Sequence, residues 1–292
     1  MTADTTFLPG SLASSAASGR GRALITGAST GIGATYADRL ARRGFDLILV
    51  ARDATRLAGV AERIRQQTGA QAEVLRADLT DRADLAAVAQ RLESDATITL
   101  LLNNAGMSVN GTLADADIGA VERMIALNVT APTRLAAAAA RAFKARKGGT
   151  IINIASVLAL APELFSGSYS GTKAYLLNLS HSLARELQPD GVRVQAVLPG
   201  ATRTEIWQRS GASVDALPPE MLMDVGPLVD AALAGLDMGE AVTIPPLESL
   251  QAWQSLEQAR QQLAPVLSRS QPATRYAASA AVAAGKAGAD GR

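Results

Sequence analysis

Tyr169 and Lys173 stand four residues apart in a stretch whose spacing predicts a helix from Ser168 to Gln188. At that separation both side chains share one helix face. A phenol is a poor acid at neutral pH, with an ordinary pKa of about 10. A lysine cation one turn away favours the phenolate and lowers that value. Ser156 lies just past the apolar run Ile151-Ile152-Asn153-Ile154, which reads as a buried strand. A hydroxyl there can hold a carbonyl oxygen beside the phenol. The three residue types describe a general-acid site directed at a carbonyl. Tyrosine and lysine at helical spacing also occur as a half-buried ring beside a solvated amine. The elements that position them must therefore carry the argument.

The first such element is Ala23-Leu24-Ile25-Thr26, a short apolar strand, followed by Gly27-Ala28-Ser29-Thr30-Gly31-Ile32-Gly33 and a helical pattern from Ala34 to Arg43. Strand, glycine turn and helix form the context a phosphate-binding loop needs. The helix N-terminus offers N–H groups and a favourable dipole to a pyrophosphate. Gly27, Ser29, Thr30, Gly31, Ile32 and Gly33 are the expected contacts, although a glycine-rich turn can be no more than a turn. The next strand, Asp46 to Ala51, ends without the acidic residue that would bind NAD ribose hydroxyls, and Arg52 follows. An arginine suits a 2′-phosphate and points to NADP; the plain alternative is a surface arginine.

After a helix from Ala54 to Gln67 comes the strand Glu73 to Arg76, with Asp78 and Leu79 at its end. There they would meet an adenine, or Asp78 merely starts the turn before a helix from Asp84 to Leu92. The buried strand Ile98 to Leu102 runs into Asn103-Asn104-Ala105-Gly106. Asn104 can hold backbone and cofactor, and small Ala105 and Gly106 let a nicotinamide ribose approach; an Asn-Gly type turn is the duller reading. A helix is predicted from Ala116 to Arg146 with Asn128 inside it, a poor helix-interior residue. Asn128 is then a local bend or a functional amide, and Pro132 nearby supports a kink.

Taken together, Thr26-Gly27-Ala28-x-x-Gly31-Ile32-Gly33, Asn103-Asn104-Ala105-Gly106, Asn128, Ser156 and Tyr169-x-x-x-Lys173 resemble the short-chain dehydrogenase/reductase family, from about Gly21 to Pro245. The resemblance implies a proton donor or acceptor at Tyr169 and a substrate-positioning hydroxyl at Ser156. Lys173 would lower the tyrosine pKa and hold the nicotinamide ribose, and Asn128 would support a water chain to it. Pro199, Gly200 and Thr204, after the strand Val192 to Leu198, match the family's segment beside the nicotinamide carboxamide, although Thr202 replaces its usual aliphatic residue. The family also commonly pairs two helices across a dimer axis, so a homodimer or homotetramer is expected.

The alternation of strands and helices predicts a single α/β Rossmann-type domain over residues 21–245. Its doubly wound, mostly parallel sheet would have seven strands, with helices on both faces. Residues 206–224 hold Trp207, Leu217, Met221 and Leu222 and read as an apolar substrate lid or as ordinary surface packing. A helical extension is expected over 246–267, and disorder over 1–20 and 268–292.

Composition narrows the function. A net charge of +1 gives no electrostatic case for nucleic acid or an anionic membrane. No apolar run is long enough to span a bilayer. Cysteine is absent, and His181 is the sole histidine, read as structural or surface. No metal site is therefore expected, and a reducing, cytoplasmic setting fits. The expected function is NADP(H)-dependent oxidoreduction of an apolar small-molecule carbonyl or alcohol, with NADP(H) preferred over NAD(H). The rivals are a 3-oxoacyl thioester reductase and a dinucleotide-binding scaffold or sensor without turnover.

Overall fold

The computed structural model describes residues 20–209 and 217–276. Residues 1–19 of the leader read at 1–20, part of the expected lid (210–216) and much of the tail read at 268–292 lie outside those residues. The chain divides after Pro246 into two compact units.

In the first unit, β1 (Arg22–Thr26), α1 (Gly31–Arg42), β2 (Asp46–Ala51), α2 (Ala54–Thr68) and β3 (Ala72–Arg76) form one half. The other half is α3 (Arg82–Ser94), β4 (Ile98–Asn103), α4 (Ile118–Ile125), α5 (Ala131–Ala145), β5 (Gly149–Ile154), α6 (Gly167–Leu187), β6 (Val192–Val197), α7 (Ile206–Arg209), α8 (Val225–Asp237) and β7 (Val242–Thr243). The strands make one seven-stranded sheet in the order β3-β2-β1-β4-β5-β6-β7. Each neighbouring pair is parallel. The chain runs outward from β1 to β3, then returns to β4 on the other side of β1. Strand order therefore reverses between β1 and β4, which is where open α/β sheets bind ligands at their carboxyl ends.

Both faces of the sheet are covered, so its strands read as continuous apolar runs. Alternation still sorts the side chains. Ala23 and Ile25 of β1, with Leu47 and Leu49 of β2, join a core closed by α1, α2 and α8. Leu24, Ile48 and Val50 point the other way, into a core closed by α3, α5 and α6. Burying one such leucine or isoleucine contributes about 1.5–3 kcal/mol.

The long helix expected from Ala116 to Arg146 is three elements. Asp117 caps α4 by accepting the Gly119 N–H at 2.9 Å. A π-helical turn, Ala126–Thr130, separates α4 from α5. Pro132 sits in the first turn of α5, directly after that π turn. The irregularity is this widened π turn around Asn128, and Pro132, four residues on, has no N–H to return to the Asn128 carbonyl.

The second unit carries α9 (Leu250–Leu263), capped by Ser249 through the Gln251 N–H at 3.2 Å. Among the described residues no helix is long and apolar enough to cross a membrane.

Candidate active site

The glycine turn after β1 is shaped by Asn104. Its side-chain amide donates to the Thr26 carbonyl at 2.9 Å and to the Gly27 carbonyl at 3.2 Å. A Cβ at Gly33 would lie 2.3 Å from the Gly27 oxygen and 2.5 Å from Asn104 Nδ2, so only glycine fits there. The Thr26 hydroxyl accepts the backbone N–H groups of Asn104 and Ala105 at 2.9 and 3.0 Å, and donates to the Leu102 carbonyl at 3.2 Å. These bonds tie the end of β1 to the Asn103–Gly106 segment.

Side chains cap the first turns of α2, α3 and α4: Asp53, Asp81 and Asp117. None caps α1, and its first turn carries no acidic residue. Ser29, Thr30 and Ile32 around that turn keep accessible surface. An uncapped N-terminus behind a glycine turn suits a pyrophosphate, so the residues present fit a dinucleotide.

Past the end of β3, the Asp78 carboxylate accepts the Thr80 N–H at 2.9 Å and hydroxyl at 2.7 Å. Burial works to raise that carboxyl, but the Thr80 bonds and the nearby Arg52 and Arg76 outweigh it and hold the group below its usual range. Leu79 is buried in the core. Arg52 is exposed just past β2.

On the other side of the strand-order reversal lie Asn128, Ser156, Tyr169 and Lys173. The buried Asn128 accepts the Met107 N–H at 3.0 Å and donates to the Met107 carbonyl at 2.8 Å and Thr172 Oγ1 at 3.1 Å. A Cβ at Gly106 would stand 3.3 Å from Asn128 Oδ1 and 3.6 Å from Lys173 Nζ. Lys173 is 5% exposed. Its ammonium donates to the Ile154 carbonyl at 2.9 Å and lies 5.7 Å from the Tyr169 ring centroid.

Ladder pairing carried past the ends of β5 and β6 holds Ser156 in place. Ala155 N–H donates to Val197 at 2.8 Å, and Val157 N–H to the buried Pro199 at 3.0 Å. Gly200 follows, its carbonyl accepting the Thr202 hydroxyl at 3.0 Å. Thr204 lies against Gly31, where an added Cβ would stand 3.3 Å from its Cγ2. The two sides of the sheet's carboxyl edge are thereby joined.

Burial pushes the Tyr169 phenol up to about 12, with hydrogen bonding from Ser156 acting against it. Burial also pushes Lys173 down to about 8. The expected lowering of the phenol by Lys173 is thus overridden. The low-dielectric surroundings penalise both charged forms, and the ammonium turns toward the Ile154 carbonyl. At neutral pH the phenol keeps its proton and the amine remains largely the cation.

Two contacts were not read from the sequence. Phe165 packs its ring edge-on against Tyr169, with centroids 5.8 Å apart and planes at 82°. Thr172, adjacent to Lys173, ties Asn128 to the Tyr169 carbonyl, which it reaches at 2.7 Å. The aromatic at 165 was visible, but its approach depends on the tight turn Pro162–Leu164 that precedes α6.

The short chain dehydrogenase family profile matches residues 22–215. A short-chain dehydrogenase from Sphingobium yanoikuyae, solved in complex with NADPH, is 53% identical. It superposes with a TM-score of 0.85, covering 88% of this chain and 99% of that one. The bulky-bulky ketone specific alcohol dehydrogenase from Comamonas testosteroni is 48% identical with a TM-score of 0.81, covering 88% of this chain and 98% of its own. The very-long-chain 3-oxoacyl-CoA reductase of Podospora anserina is 32% identical over 180 residues, which span 60% of this chain and only 53% of that enzyme. The chain belongs to the short-chain dehydrogenase/reductase family, and it is an oxidoreductase of the CH–OH/C=O couple.

Proposed function

We propose that the chain transfers hydride between NADP(H) and the carbonyl or alcohol carbon of an apolar small molecule, with Tyr169 as general acid/base. The observation that carries this reading is the grouping of Ser156, Tyr169 and Lys173 beside the strand-order reversal. When bound, the nicotinamide supplies or accepts the hydride. Gly27 to Gly33, Asn104, Ala105, Gly106, Pro199, Gly200 and Thr204 would hold the dinucleotide, with Asp78 and Leu79 near the adenine. Arg52 would meet a 2′-phosphate. No hydrogen bond or ion pair engages its guanidinium among the described residues, which leaves it available for that role.

In the reductive direction Tyr169 Oη delivers its proton to the substrate oxygen. A phenol near 12 remains the acid form at neutral pH and is still far more acidic than the alcohol it creates. The Ser156 hydroxyl donates a second hydrogen bond to that oxygen as its charge grows. Lys173 keeps a cation one helical turn from the phenol and favours the phenolate left behind. Asn128 holds Met107 and Thr172, and thereby the spacing of the two segments that flank Lys173.

The name of the Comamonas relative, at 48% identity, supports a ketone with bulky groups on both sides. The apolar residues Trp207, Leu217, Met221 and Leu222 after β6 suit such a substrate. The Podospora relative favours a second reading, a 3-oxoacyl thioester. A cytoplasmic homodimer or homotetramer is part of the proposal and rests on the family alone.

The test combines NADPH with bulky aryl ketones, small aldehydes and 3-oxoacyl thioesters. Bulky ketones should be turned over fastest, and the Tyr169→Phe variant should lose about 10²–10⁴-fold in kcat while its NADPH affinity is kept. Thioesters as the best substrates would select the second reading. Tight NADPH binding with no turnover of any substrate would select a scaffold, and near-normal turnover by Tyr169→Phe would remove the phenol from the mechanism.

A further inference from the structure

Arg56 stands in the first turn of α2, next to β2, while Glu205 follows β6. In the sheet these strands are separated by β1, β4 and β5. Four strand spacings of about 4.8 Å put them roughly 19 Å apart. Even so, the two side chains meet: Arg56 Nη1 lies 3.0 Å from Glu205 Oε1 and 2.8 Å from Oε2. To make that contact, the chain leaving β6 must run back along the carboxyl edge, over the place where strand order reverses. The position of Thr204 against Gly31 marks its path across the turn that precedes α1.

The segment is braced at its β6 end. Thr202 bridges to Met223, the Arg203 N–H donates to the Met223 carbonyl at 3.1 Å, and Trp207 Nε1 donates to the Thr202 carbonyl at 2.8 Å. Its other end has the Arg56–Glu205 pair as its fastening to α2. We propose that residues 202–205 form a strap over the dinucleotide groove, and that Arg56 and Glu205 are positioning residues whose ion pair sets how long the dinucleotide stays bound. This rests on the dinucleotide reading above and adds to it a charge pair outside the glycine turn and the Ser-Tyr-Lys group.

The pair is half exposed, at 49% for Arg56 and 39% for Glu205. Its effect is therefore modest: roughly two- to fivefold in the NADPH dissociation rate. Stopped-flow displacement of bound NADPH, followed by its fluorescence, measures that rate without turnover. Arg56→Gln and Glu205→Gln should each release NADPH roughly two- to fivefold faster. Arg56 also lies 3.4 Å from Asp53, so the exchanged pair, Arg56→Glu with Glu205→Arg, is made together with Asp53→Asn, which keeps the cap of α2 without the charge. It should return the rate to within about twofold of the Asp53→Asn protein. In 0.5 M salt the differences should shrink toward unity, because exposed pairs are screened.

A different result follows if Arg56 instead serves a cofactor phosphate directly and Glu205 merely competes for it. Glu205→Gln would then release NADPH more slowly, and the strap is overturned. Unchanged rates in both single variants, or an exchanged pair no better than the singles, also overturn it. A parent protein that binds no NADPH overturns both the strap and the dinucleotide reading, whereas parent binding with insensitive variants removes the strap alone.

Discussion

Lys173 is a buried ammonium on α6 that donates to a backbone partner, the Ile154 carbonyl, at 2.9 Å. Burial lowers it from the ordinary 10.5 to about 8. Below pH 8 the folded protein carries the cost of a buried cation. Between pH 8 and 10.5 the folded state sheds that proton while the unfolded chain keeps it. The unfolded state then binds more protons, so stability from this group rises with pH across that window. A Lys173→Met variant lacks the titration. Between pH 7 and 9.5 the parent should gain about 2 kcal/mol on Lys173→Met in paired denaturant melts. A gap that stays constant over that range would mean the amine titrates near 10.5 in the fold. The upper limit of pH 9.5 keeps the Tyr169 phenol, pushed the other way by its own burial, out of the comparison.

At the scale of elements, the π turn Ala126–Thr130 is what brings the Asn128 side chain to Met107 and Thr172. Removing that amide leaves the half-buried Met107 N–H and carbonyl without their partner. Asn128→Ala should cost about 2–4 kcal/mol and lower Tm by roughly 5–15 °C. A loss under about 2 °C would mean water replaces the amide at no cost. The turn itself was not legible in the sequence. Asn128, a poor helix-interior residue, and Pro132 marked a bend there, but nothing in Ala126-Leu127-Asn128-Val129-Thr130 announces its widened π form. The strands were legible because each is an apolar run between turn residues, and their limits move by only one or two positions. The placement of Ser156, Tyr169 and Lys173 was legible for a similar reason: a strand end and an i,i+4 spacing are local facts. The direction of the phenol's shift was not, because it depends on how completely the surrounding elements exclude water. Phe165 was hidden by the same dependence on the folded turn before α6. The Arg56–Glu205 pair was beyond reach altogether, since 149 residues separate its members.

At the scale of the whole molecule, the order β3-β2-β1-β4-β5-β6-β7 splits the carboxyl edge into two halves, which on the function proposed above take the adenosine and the nicotinamide. Arg52, Asp78 and the turn before α1 belong to the first; Lys173, Ser156 and Pro199 belong to the second. A dinucleotide lying across the reversal would bind only when both halves are folded and in register, so its binding energy becomes stability of the whole unit. At a hundredfold excess over its dissociation constant, NADPH should contribute about 2.7 kcal/mol and raise Tm by roughly 5–10 °C. NADH at the same concentration should raise it less, because Arg52 has no 2′-phosphate to meet. Arg52→Ala should erase most of that difference by costing NADPH about 10–100-fold in affinity, the loss expected for one or two charge-assisted hydrogen bonds. Thermal melts of both proteins with each nucleotide read all four quantities. Equal shifts for NADPH and NADH in the parent protein would rule out the 2′-phosphate preference. No shift with either nucleotide would mean that the two halves of the edge are not joined by a dinucleotide at all.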